Sequence, residues 1–211
     1  ASAVPAAGLA VLAPWLVSTG RDAQVELFTY LALLNVALLV LAWKRNWRVL
    51  ELPAFVLTEL YFFAWVDRVY TSDRLVSTAS FAALFFVQFS ALATVRSRRT
   101  GTLYPEQALL SLVNAFVFLV VLRQLLWPEH RWALAASTLA LAAFYLLSAR
   151  AVASGGAGAP QTRLLFAGLA LTCVTLAIPM ALDGSSITIA WAVEAAVLVW
   201  TGFAAKLWYL R

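Results

Sequence analysis

The chain has 211 residues, of which 64% are hydrophobic and only 12% charged, and its mean hydropathy is +0.87. Soluble domains carry about a quarter charged residues. A soluble fold of this size cannot bury so much apolar surface, so the composition excludes that class and makes the bilayer the solvent. The net charge is +5, and its distribution along the chain explains it without nucleic acid.

Apolar stretches follow one another along the whole sequence. The first, Val4 to Val17, is partial. Seven fuller ones run from Val25 to Trp43, Leu50 to Val66, Leu75 to Val95, Ala108 to Trp127, Trp132 to Ser148, Leu164 to Leu182 and Ile187 to Leu207. A helical crossing needs about 17–25 residues, which fits these lengths. None alternates as a membrane barrel strand would. The breaks carry turn chemistry, at Ser18-Thr19-Gly20 and Asp183-Gly184-Ser185-Ser186. The segment "ASGGAGAP" at 153–160 reads as a flexible linker. It is not a dinucleotide fingerprint, because no strand precedes it. No basic region precedes the first stretch, which therefore does not read as a signal peptide. The expected fold is all-α: one transmembrane domain over 1–211, a bundle of about eight helices, the first partial.

The charges alternate from loop to loop. Lys44, Arg45 and Arg48, then Arg96, Arg98 and Arg99, then Arg150 and Arg163, then Lys206 and Arg211 fall on one side. Arg21, Arg68, Arg74, Arg123 and Arg131 fall on the other, with the acids Asp22, Glu26, Asp67, Asp73, Glu129 and Asp183. Lys and Arg excess marks the cytoplasmic side. Both ends of the chain are expected there. Trp15, Trp43, Trp47, Trp127, Trp132 and Trp208 cluster near the span boundaries, where indole rings anchor at the headgroups.

Two carboxylates interrupt the apolar spans. Glu59 lies mid-span in "FVLTELYFF", flanked at helical spacing by Phe55, Phe62 and Phe63. Glu194 lies in "ITIAWAVEAAVLVW", ~10 Å from the outer end at 1.5 Å per residue. A carboxylate at mid-membrane costs roughly 2.5–3.5 kcal/mol, so it faces the bundle interior or a wet cavity. For Glu194 two readings stand level: a proton, cation or headgroup site, or a structural contact. Arg123 is its nearest partner in depth, though Arg123 can also snorkel to the interface. Trp191 shares the face of Glu194, while Ala192 and Ala196 leave room for a neighbouring helix. A neutral buried acid is the favoured reading of Glu59. Asn35, Gln88 and Asn114 read first as hydrogen-bonding glue between helices. Glu194, Glu59, Arg123, Trp191, Asn35 and Asn114 together form the candidate substrate- or ion-binding set. Pro179 is expected to kink its span.

His130 is the single histidine and Cys173 the single cysteine. That pair cannot build a His- or Cys-based metal site, and no span holds a histidine to ligate haem or chlorophyll. No cofactor is expected. Ser and Thr are plentiful, but no base is placed to activate one. "VDRVYTSDR" sets Asp67 and Asp73 in an outer loop, where a membrane transferase would keep catalytic acids; each is followed by an arginine that can pair with it.

The stretches "LFTYLALLNVALLVLAWKRNWRVLELPAF" (27–55) and "LAIPMALDGSSITIAWAVEAAVLVWTGF" (176–203) resemble a widespread family of predicted bacterial multi-pass membrane proteins catalogued as a domain of unknown function. "APWLVSTG" (13–20) is similar to the segment that precedes the first of them in that family. On this resemblance Glu194 matches the intramembrane acid of the family and Trp191 its tryptophan. It implies a multi-pass topology in a bacterial inner membrane and no particular activity. It also implies a longer parent protein, in keeping with a first residue, Ala1, that is not methionine.

Three functions follow as expectations. The first is transport, or handling of a lipid headgroup, at a polar intramembrane site. The second is a structural or assembly subunit alongside other membrane subunits. The third is an outward-facing transferase. The expected partners are the bilayer, a lipid or small molecule, and other subunits, with no nucleic acid.

Overall fold

A computed structural model describes residues 24–45, 47, 50–154 and 159–204. The partial first span, Trp15, Arg21, Asp22, Arg48, Lys206, Trp208, Arg211 and residues 155–158 of the 153–160 linker lie outside these residues. Among the described residues the chain forms seven α-helices and no strand: α1 (Gln24–Arg45), α2 (Glu51–Val69), α3 (Leu75–Thr100), α4 (Pro105–Leu126), α5 (Arg131–Ala153), α6 (Pro160–Ala181) and α7 (Ser185–Ala204). A short 3₁₀ turn, Ser72–Arg74, leads into α3. Helices α1, α3, α4, α5 and α6 are long and apolar enough to cross a membrane. Helix α2 is more charged, with Glu51, Glu59, Asp67 and Arg68 in 19 residues.

The helix ends follow from local chemistry. Pro105 and Pro160 open α4 and α6, where a missing N–H costs nothing. Gly101 closes α3 at φ 69°, a left-handed conformation that a side chain would strain, and its N–H caps the carbonyl of Ser97. Gly184, at φ 58°, adopts the same left-handed conformation in the turn between α6 and α7. The sequence places the end of the fourth span at Val95, but α3 continues to Thr100. Arginines end an apolar run without ending a helix. Pro179 lies in the last turn of α6, which continues to Ala181.

Helix α3 is the hub, touching α1, α2, α4 and α5. Helices α5 and α6 form the most extensive pair, with Ala135, Ala142, Ala170 and Ala177 buried along the seam. Small side chains let two backbones approach closely, which is how helices gain contact in lipid. One end of the bundle, carrying Lys44, Arg45, Arg98, Arg99 and Arg150, is the basic end. The other carries Asp67, Asp73, Glu129 and Asp183 and is the acidic end. An aromatic cluster of Phe28, Phe62, Trp65 and Phe85 fills the core toward the acidic end, with ring centroids 5.2–6.3 Å apart. Leu38, Leu39, Phe55, Phe89 and Leu110 fill it toward the basic end.

The outer surface is apolar. Val76 is 75% exposed, Phe116 68% and Leu164 68%. Such a surface belongs in hydrocarbon and would aggregate in water. Trp47, Trp127 and Trp132 are also exposed, near helix ends, as anchors at the headgroup level would be.

Candidate functional site

The polar residues of the spans knit helices, line space or, at Asn114, do both. Asn35 is buried on α1 and accepts a hydrogen bond of 2.9 Å from the Thr58 hydroxyl of α2. Asn114 is buried on α4 and donates to the Phe86 carbonyl (3.0 Å) and the Ser90 hydroxyl (2.9 Å) of α3. Gln88 of α3 donates to the Ala32 carbonyl of α1 at 3.0 Å. Thr162 of α6 donates to Ser97 of α3 at 3.1 Å. Each bond joins two helices, the role expected of Asn35, Gln88 and Asn114.

Glu194 has a different neighbour from the one its depth suggests. The Thr175 hydroxyl of α6 donates to its Oε1 at 2.6 Å, and the Trp191 indole N–H reaches the Thr175 carbonyl at 3.4 Å. Arg123 is exposed on α4 and makes no ion pair with Glu194. Glu194 is half-buried while Trp191, Val193, Val197 and Val199 around it are exposed. The "AWAVEAA" face thus clasps α7 onto α6.

Glu59 comes together with Asn114. Both line a cavity of about 10 Å³ between α2, α3 and α4, walled by Phe62, Phe85, Phe86 and Phe118. That is room for about one water molecule. One turn nearer the acidic end, residues of α2 and α4, with Tyr70 after α2, line a cleft of about 290 Å³. Phe63, Val66 and Leu125 form its apolar wall, and Asp67, Tyr70 and Gln124 its polar rim. The rings of Phe62 and Phe63, centroids 6.1 Å apart and nearly perpendicular, stand between cavity and cleft. Burial, and then the carboxylates of Asp73 and Glu129, push the Tyr70 phenol above its ordinary value. It therefore stays protonated at neutral pH, able both to donate and to accept. Asp73 approaches Arg74 at 4.0 Å, the local pairing the sequence suggests for that acid. Asp67 makes no ion pair with a described residue.

One buried charge pair escapes the sequence reading. Arg96 of α3 and Glu51 of α2 meet at 2.8 Å, with side chains 4% and 3% exposed. The guanidinium of Arg96 also lies 6.0 Å from the Trp43 ring, and that of Arg99 4.9 Å from it. The sequence counts Arg96 as one loop cation among several, because nothing local announces a partner 45 positions away. Nearby in sequence, Gln107 is fully buried with neither side-chain polar atom hydrogen-bonded. No three His, Cys, Asp or Glu side chains gather to hold a metal among the described residues.

The comparison with known families agrees with this architecture. A family model described as a predicted membrane protein, DUF2339, matches residues 1–211. The chain belongs to the DUF2339 family. It is therefore a membrane protein with several spanning helices. No curated protein matches the chain. No solved structure matches it either.

Proposed function

We propose that this DUF2339 chain handles a lipid or small amphipathic molecule, admitted at the acidic end between α2 and α4. The observation that carries this reading is the cleft of about 290 Å³ with an apolar wall and a polar rim. Binding sites for small molecules begin at about this size and pair apolar walls with a few placed polar groups. The polar intramembrane site of Glu59 and Asn114 lies beyond it, behind Phe62 and Phe63. That inner cavity is too small for a substrate in this state, so the cleft is where a ligand first binds. Orientation by the charge rule puts the cleft at the outer face of a bacterial inner membrane.

The test is native mass spectrometry of the gently extracted full chain beside Val66→Trp, which fills the cleft. The wild type should retain a lipid or small molecule that the variant loses. Equal retention by both would sink the reading.

A second reading, a structural or assembly subunit, draws on α7. Its exposed face and its clasp through Glu194 suit a helix that meets another subunit. In that case Glu194→Ala should lower the recovery of protein partners and leave retained lipid unchanged.

A further inference from the structure

The rim of the cleft has a more specific chemistry than its shape. Asp67 offers a carboxylate, Tyr70 a phenol oxygen and Gln124 an amide oxygen, three acceptors around one mouth. A primary ammonium has three N–H donors and a single charge. One position before Gln124, Arg123 is exposed and its side chain pairs with no described residue. A guanidinium there is suited to a phosphate. Phe63 and Val66 supply an apolar wall below Asp67 and Tyr70, and Leu125 continues it beside Gln124. Trp127, 47% exposed and one turn beyond Arg123 on the same face, marks the headgroup level. A cation acceptor, a guanidinium one residue deeper on α4 and an apolar wall, in this order, match a zwitterionic phospholipid read from headgroup to chain.

We infer that the cleft takes a phospholipid whose headgroup ends in a primary ammonium, with the ammonium among Asp67, Tyr70 and Gln124, the phosphate at Arg123 and the first chain carbons against Phe63, Val66 and Leu125. The inference rests on the lipid-handling reading and names its ligand class. Two other occupants fit less well. A quaternary headgroup of the choline type carries the same charge but no N–H, and leaves three acceptors unmet. An anionic headgroup of the glycerol type brings a phosphate for Arg123 but nothing to neutralise Asp67.

The experiment uses the delipidated full chain in detergent. It is titrated with phosphatidylethanolamine, phosphatidylcholine and phosphatidylglycerol of identical chains, and bound lipid is counted by native mass spectrometry. The ethanolamine lipid should bind about tenfold tighter than either of the others, the value of one charge-assisted hydrogen-bonded contact. Asp67→Asn should bring it down to the level of the choline lipid with no change in unfolding temperature, since Asp67 is exposed. Gln124→Leu provides a second variant on the other helix, with the same expectation and a smaller loss. Equal binding of the three lipids by the wild type would overturn the ammonium assignment and leave lipid handling standing. So would an Asp67→Asn loss shared equally by all three. Binding of none of them, together with retention unchanged by Val66→Trp, would remove both readings.

Discussion

At the scale of single residues, a polar side chain in this bundle is judged by where its second partner lies. Asn114 spends both amide hydrogens on α3. Asn114→Ala should cost about 1–2 kcal/mol, the range for interhelical hydrogen bonds in lipid. The Glu51–Arg96 pair has larger consequences. Removing one member of a buried pair strands the other, at about 3–5 kcal/mol. Glu51→Gln and Arg96→Leu should each lower the denaturant midpoint strongly, measured by tryptophan fluorescence in detergent. The double variant Glu51→Leu with Arg96→Leu should recover much of the loss. If the single variants unfold like the wild type, the pair contributes nothing to the fold. The sequence exposes the helix-knitting role of Asn35 and Asn114, because an amide in an apolar run has few alternatives. It hides Glu51–Arg96, because each charge sits at the edge of its span, where charge is ordinary.

At the scale of elements, α7 differs from the rest. Helices α1 to α6 each bury a face, while the described side chains of α7 past Ser185 are exposed apart from the half-buried Ile187, Ala190 and Glu194. Its attachment runs through the Thr175–Glu194 hydrogen bond and the weaker reach of Trp191. Thr175→Val and Glu194→Ala should therefore raise hydrogen–deuterium exchange across 185–199 and leave α3 unchanged. Glu194→Gln should behave like the wild type in this assay, because an amide oxygen accepts from Thr175 as a carboxylate does. Faster exchange in Glu194→Gln as well would show that docking needs the charge. The sequence marks Glu194 as the residue that does not belong in hydrocarbon. It cannot supply Thr175, because a threonine in a span ordinarily bonds its own helix, as Thr175 also does to Leu171 at 3.1 Å. Span limits were legible to within a few residues where an apolar run and a helix end together, as at Leu126. They ran short at Arg96 to Thr100, where the helix outlasts the hydrocarbon.

At the scale of the whole molecule, the seven described helices alternate in direction and sort charge by end. Helix count, membrane class and the family were legible because hydropathy and loop charge are properties of the chain itself. The cleft was not, because it depends on how α2 and α4 are placed relative to each other. The charge rule predicts sidedness. In a Cys173→Ala background, Ser72→Cys should react with an impermeant maleimide added to intact cells, and Ser154→Cys only after the cells are opened. The reverse pattern would turn the bundle over and place the cleft at the inner face.

Arg96 also links biogenesis to the finished fold. The charge rule predicts that, while the spans are entering the membrane, Arg96 acts with Arg98 and Arg99 to keep that loop from being translocated. Once α2 and α3 are side by side it is withdrawn against Glu51, leaving its two neighbours in contact with water and headgroups. On that expectation the same guanidinium serves first as a topogenic signal and afterwards as an internal brace. A neutral residue at this position would weaken both, so a loss of membrane yield in Arg96 variants would have two separable origins: inverted chains before folding, and correctly inserted chains that fail to close.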